Sequence, residues 1–241
     1  MAEPGTVKRG RKPRVIKETF GAGEVAAAVG EVLPGCEIFG VTNGKWSLSD
    51  LVLYLLKTTG PADLLISMWT AANADIVFLG DMMREGRIRS SKWVIDFSFP
   101  NRQPAYWAAL KERFGAENMR LCKTHCKFIT IRNENWNLCI RTTMNLNQNR
   151  RIETWEVSDD AAMCDYVASI VETIFARETG AQNQKKRAHE LTKDFESLVE
   201  ELGGDRDEEF AASSPDVRTY FGDGMFDADI RRAGITYSGR R

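Results

Sequence analysis

Apolar positions along the first 180 residues switch between two spacings, and the switches mark out the elements. "GCEIFGVT" (35–42) has the period-two, apolar-rich look of a strand, and Asn43-Gly44 follows as a turn. Ser47 then opens a helix over 48–58, with Asp50 at the return position of a capping box. "ADLLISMW" (62–69) is a nearly continuous apolar run, which predicts a strand buried on both faces. "ADIVFLGDMMREG" (74–86) has helical spacing and ends at glycine; "KWVIDFSF" (92–99) is another apolar strand. "PAYWAALKERFG" (104–115) is a helix with proline at its start and glycine at its end. Short strands are predicted at 118–122, 125–131 and 136–142, and a last helix from Ser158 to Ala176, with Asp159 and Asp160 in its first turn.

Strands alternating with helices, closed by a hairpin, predict an α/β layer fold, and no internal repeat accompanies them. Beyond Gly180, Leu191, Phe195, Leu198, Val199 and Leu202 fall on one helical stripe that would dock on its own domain or on a partner chain. The expected organisation is a flexible basic arm at 1–19, a globular domain at 20–178, an amphipathic helix at 179–203 and a mobile tail at 204–241.

Charge changes this picture only locally. The net charge of the 241 residues is −1, so bulk electrostatics argues for no polyanionic partner. Residues 7–17, "VKRGRKPRVIK", nevertheless hold six basic groups and no acid. No stretch approaches the ~18–20 apolar residues of a spanning helix, and the N-terminus has no secretory apolar core. Five cysteines, an odd number, fit reduced thiols better than a disulfide scaffold. The expectation is a soluble, cytoplasmic protein.

The chemistry concentrates in "THCKFITIRNENWNLCIRTTMNLNQNRRIE" (124–153), which holds one of only two histidines. On a strand over 125–131, His125 and Lys127 share a face. The turn "RNENWN" brings "LCIRTTMN" back alongside, so Thr143 and Asn145 come near them, with Glu153 close in sequence. Lysine and carboxamide donors suit non-bridging phosphoryl oxygens. An imidazole attacks phosphorus when neutral or protonates a leaving oxygen when charged. The set looks like a phosphodiester site. The bland reading, a core histidine bonded to a carbonyl, competes with it.

"H-C-K" (125–127), "T-T-M-N" (142–145) and Glu153 resemble the active-site motif of the phospholipase D superfamily: His-x-Lys, then four residues and Asp, then Gly-Ser-x-Asn and a later Glu. Here Arg132 stands at the Asp position and Thr142-Thr143 replaces Gly-Ser. The resemblance implies an α/β/α sandwich, a mixed sheet flanked by helices. It also implies metal-independent phosphodiester cleavage through a phosphohistidine, with no cofactor. The family's mechanism needs two motifs and this chain has one, so the resemblance implies a homodimer with a shared site. In that scheme His125 is nucleophile or acid, Lys127 and Asn145 bind oxygens, Thr143 adds a contact and Glu153 orients an imidazole.

Three other constellations are weaker. Cys122, His125, Cys126 and Cys139 suggest zinc, but on a strand Cys122 and Cys126 face away from His125, so these three cannot close on one metal, and buried thiols are expected and no metal. "KRGRKPR" (8–14) resembles an AT-hook interrupted by Lys12, so Lys8, Arg9, Arg11, Lys12 and Arg14 are expected to bind DNA phosphates or the minor groove. Trp136, in the hairpin turn, is a candidate for stacking on a base, or simply caps the hairpin. No basic amphipathic membrane-binding segment is evident, which disfavours a phospholipid substrate. The expected function is a dimeric DNA phosphodiesterase. The rival readings are a DNA-binding or scaffolding protein that keeps the fold without efficient cleavage, and a structural oligomeric component.

Overall fold

Ser47 shows how closely local chemistry sets the elements. Its hydroxyl accepts the Asp50 N–H at 3.1 Å while the Asp50 carboxylate accepts the Ser47 N–H at 2.7 Å, so the capping box is closed in both directions. Helix α2 (Leu48–Thr59) starts there and stops at Gly60, whose φ of 75° suits glycine. The computed structural model describes residues 14–17, 23–176 and 197. Its other helices are α1 (Val25–Val29), α3 (Asn73–Arg84), α4 (Phe99–Arg102), α5 (Pro104–Phe114) and α6 (Ala161–Ala176).

The strands are β1 (Val15–Lys17), β2 (Glu37–Thr42), β3 (Ala62–Met68), β4 (Ile88–Asp96), β5 (Met119–Cys122), β6 (Phe128–Arg132), β7 (Asn137–Thr142) and β8 (Glu153–Asp159). They form one mixed sheet in the order β1-β2-β8-β7-β6-β3-β4-β5. Pairing is parallel for β1–β2, β3–β4 and β4–β5, and antiparallel for the four pairs from β2 through β8, β7 and β6 to β3. Only β6 and β8 therefore run against the rest. The C-terminal ends of β2, β3, β4, β5 and β7 share one sheet edge with the N-terminal ends of β6 and β8.

Alternation along the strands sends side chains to two cores. Leu64, Ile66, Trp93, Ile95, Ile129, Ile131, Leu138, Ile140, Trp155 and Val157 join the larger one with residues of α1, α2, α3 and α5. Val94, with Leu65 and Phe128 at its margin, joins Val167, Val171 and Ile174 of α6 on the other face. Helices thus cover both faces, as the α/β/α expectation requires.

Three elements differ most from the sequence expectation: the strand expected at 92–99 runs instead from Ile88 to Asp96, with Phe99 opening α4, and two others shift nearer the site. The helix expected from Ser158 begins at Ala161, because Glu153–Asp159 is strand β8. The segment "ETWEVSD" alternates, with Trp155 and Val157 inward. The acids expected inside the helix lie before it: Asp160 accepts the Met163 N–H at 3.1 Å as a cap, and Asp159 accepts the Asn137 N–H at 3.1 Å and the Gly35 N–H at 2.7 Å. The strand expected from residue 125 begins at Phe128. The short elements β1, α1 and α4 carry too few residues for periodicity to show.

Of the expected basic arm, Arg14 to Lys17 is described, and Val15–Lys17 pairs with β2 as an edge strand. The rest of that arm, the expected helix at 179–203 apart from Ser197, and the tail lie outside the described residues. Among the described residues no helix is long and apolar enough to cross a membrane.

Candidate active site

His125, Cys126 and Lys127 lie in the loop that enters β6, at the edge where most strands end. They do not share a strand face, since the strand starts one residue later. Their meeting is made instead by the Lys127 side chain folding back: its Nζ lies 3.2 Å from His125 Nδ1, 3.5 Å from Nε2 and 3.0 Å from the His125 carbonyl oxygen. The ammonium thus lies against the imidazole within reach of both ring nitrogens, held there by its bond to the carbonyl. His125 is exposed, which a core histidine would not be.

The second segment is brought up by the hairpin. Thr142 N–H donates to the Lys127 carbonyl at 3.2 Å, extending the β6–β7 ladder past its formal end. The Thr142 hydroxyl donates to the Thr154 carbonyl at 2.7 Å and accepts the Met144 N–H at 2.9 Å. Occupied in this way, Thr142 works as a backbone clamp between β7 and β8. Met144 and Leu146 are buried, and Ala72 N–H donates to the Leu146 carbonyl at 2.6 Å, which fastens this loop to the one after β3. Asn145 is held between those two anchors, and its Oδ1 is buried without a hydrogen-bond partner among the described residues. A buried acceptor left unpaired is costly.

Glu153, the first residue of β8, pairs across to Thr42. Its carboxylate accepts the exposed Thr143 hydroxyl, whose oxygen in turn accepts the Thr154 N–H at 2.9 Å. Within the chain the Glu153 carboxylate is thus tied to Thr143 through one of its oxygens. Glu153 still reaches the lysine electrostatically. Burial pushes the Lys127 ammonium below the usual lysine pKa, with the Glu153 charge and then Cys126 opposing that shift. His125 with Lys127, and Thr143 with Glu153, thus make two bonded pairs, both with one exposed and one half-buried member, linked by the Glu153 charge acting on Lys127.

Sequence reasoning missed two neighbours. Trp69, just beyond β3, places its ring 5.8 Å from the His125 ring, and the Arg102 guanidinium stacks 3.8 Å from the Trp69 ring centroid. Trp69 is legible in the sequence only as the end of an apolar strand, and Arg102 carries no signal there.

Other expected residues fall elsewhere. Trp136 is at the closed end of the β6–β7 hairpin, packed against the larger core, with its N–H on Asn133 Oδ1 at 3.0 Å. The five residues of β6 separate that turn from His125 by about 17 Å, so Trp136 is not beside the histidine. Arg14 is committed to Glu37, at 3.1 Å from Nε to Oε1, with Glu156 3.5 Å from its Nη2. The bond to Glu37 raises its pKa above the ordinary arginine value. Lys8, Arg9, Arg11 and Lys12 lie outside the described residues. Arg132 points to α6 and pairs with Asp165 at 2.9 Å, while its Nε donates to Asn137 at 3.0 Å. Among the described residues no group of three or more His, Cys, Asp or Glu side chains is arranged to hold a metal.

No protein-family model matches the sequence, and no curated protein does. Solved structures similar to it include NucT from Helicobacter pylori, at 14% identity and a TM-score of 0.43 over 60% of this chain and 98% of that one. A polyphosphate kinase from Porphyromonas gingivalis is similar at 11% identity and a TM-score of 0.44, over 68% of this chain and 30% of that one. What this chain is similar to also includes Nuc from Salmonella typhimurium, a phospholipase D family member, at 14% identity and a TM-score of 0.40 over 60% of this chain and 95% of that one.

Proposed function

We propose that this chain is a phosphodiesterase of the phospholipase D superfamily that cleaves DNA without a metal ion, at a site completed by a second copy of itself. One observation carries the reading: an exposed imidazole at the sheet edge with a partly desolvated ammonium 3.2 Å from its Nδ1. A candidate nucleophile stands beside a cation suited to phosphoryl oxygen.

In the proposed reaction His125 attacks phosphorus, forming a P–N bond as the P–O bond to the leaving group breaks. The leaving oxygen takes a proton from His125 of the partner subunit. Water then attacks the phosphohistidine, giving its proton back to that second imidazole, and the P–N bond breaks. Lys127 moves from the imidazole to a non-bridging oxygen. Asn145 and Thr143 supply further donors, and the basic stretch Lys8, Arg9, Arg11 and Lys12 raises the local concentration of DNA.

The test is cleavage of plasmid DNA and of bis(p-nitrophenyl) phosphate in excess EDTA. Cleavage that persists in EDTA and is abolished by His125→Ala supports the enzyme. DNA retention without cleavage by folded wild type favours the non-catalytic binder. Arg132 and Thr142, which depart from the family pattern and are committed to Asp165 and to the Thr154 carbonyl, are the residues that speak for that second reading.

A further inference from the structure

Beside His125 stands an arginine with no role in the reaction above. Arg102 closes α4, and its guanidinium is fixed on three sides. Its Nε donates to Ser98 Oγ at 2.9 Å, its Nη2 donates to the Trp69 carbonyl at 2.8 Å, and its plane stacks on the Trp69 ring at 3.8 Å. Ser98 is held in turn by the buried Asp96 at the end of β4, which accepts the Ser98 N–H at 3.0 Å and its hydroxyl. The rest of the guanidinium, Nη1 included, has no protein partner among the described residues, and Arg102 is exposed.

A surface arginine usually samples many rotamers, and ordering one costs entropy that a weak contact does not repay. Here two hydrogen bonds and a cation–π stack cover that cost before any ligand arrives. The same indole that carries Arg102 lies against His125, so the guanidinium is no more than about 10 Å from the imidazole by the two ring distances. Phosphates on one DNA strand recur every ~3.4 Å of helix axis, so a strand held at His125 carries a further phosphate within that radius.

We propose that Arg102, seated on Trp69, is a second phosphate-binding site that holds a phosphate neighbouring the one at His125. This rests on the reading of His125 as the phosphoryl site. It deepens that reading by assigning the substrate class: chains with consecutive phosphodiesters, rather than lone phosphodiesters such as a lipid headgroup.

The test measures binding, so it does not require the protein to be active. Affinities are taken for a phosphorothioate-linked dinucleotide with one bridging group and for a tetranucleotide with three, on wild type, Arg102→Gln and Arg102→Lys, across a salt series. The expected result is that Arg102→Gln weakens the tetranucleotide about tenfold, the loss typical of a charged hydrogen bond. The log–log salt slope should fall by about 0.7, one phosphate's share for a single strand. The dinucleotide should lose clearly less, and Arg102→Lys should recover the slope but not the full affinity, since it lacks the fork. Equal losses on both lengths would show a purely structural role and overturn the proposal, as would an unchanged slope. If wild type cleaves nothing yet shows this length-dependent loss, the second site stands and the catalytic reading falls. If cleavage depends on His125 and Arg102→Gln leaves binding unchanged, the catalytic reading stands and the second site falls.

Discussion

Gly40→Ala is the smallest change that probes how β8 is seated, and β8 begins at Glu153. Gly40 and Trp155 are directly opposed in the β2–β8 ladder. A Cβ placed on Gly40 would stand 2.4 Å from Trp155 Cζ2, 2.5 Å from Cε2 and 2.8 Å from Nε1. Carbon contacts are optimal at about 3.5–4.0 Å, so the methyl cannot enter without displacing the indole. The indole has little room to move: it is fully buried and packs edge-on to Trp46 at a centroid distance of 5.8 Å. Overpacking of this kind costs about 1–3 kcal/mol, and at about 2–4 °C per kcal/mol for a chain of this size the melting temperature should fall by roughly 2–12 °C. Urea denaturation followed by circular dichroism measures the cost, with an unchanged m-value showing that the native state keeps its compactness. Trp155→Leu destabilises on its own by leaving a cavity. In that background Gly40→Ala should cost less than about 0.5 kcal/mol, a coupling typical of residues in contact. An equal cost in both backgrounds would refute the claim that the ring excludes the methyl.

Ser47→Ala removes the hydroxyl half of the capping box, leaving the Asp50 N–H without its acceptor, and should lower stability by about 1 kcal/mol in the same denaturation assay. Asp75 is buried beneath Ser49, and desolvation raises its pKa above the usual carboxylate value. Its ionised form is therefore penalised in the folded state, so stability is lost as pH rises through the carboxylate range. Asp75→Asn should be more stable relative to wild type at pH 8 than at pH 4, and melting curves showing the opposite order would reject this. Lys127→Met should lower kcat/KM on phosphodiesters by about 10²–10³, as for removal of an oxyanion donor. Because burial lowers the Lys127 pKa, the anion-binding charge is lost at lower pH than for an ordinary lysine. The alkaline limb of the kcat/KM profile should accordingly lie below the usual lysine range and move upward in Lys127→Arg.

How much of this was legible depended on what each residue interacts with. Elements set by local chemistry were readable: the Ser47–Asp50 box, the buried run of β3, and α5 between Pro104 and Gly115. Strand β8 was readable in principle from its alternation, but Asp159 and Asp160 drew the helix start too early. Those acids serve tertiary and capping contacts to Gly35, Asn137 and Met163, which sequence does not show. Among the site residues, His125 and Lys127 were paired for the wrong reason: a shared strand face was expected, and a folded-back lysine in a loop brings them together. The bond between Thr143 and Glu153 and the stack of Arg102 on Trp69 depend on where loops from separate strands meet, and no spacing along the chain encodes that.

The central claim is that two copies of His125 act on one phosphate, and subunit mixing tests it most directly. Wild type and His125→Asn chains are unfolded together, refolded at a series of ratios with total protein constant, and assayed in EDTA. If each site needs both imidazoles, activity follows the square of the wild-type fraction and falls to about one quarter at equal mixing. Activity proportional to the wild-type fraction itself, about one half at equal mixing, would mean that each chain works alone and would contradict the account.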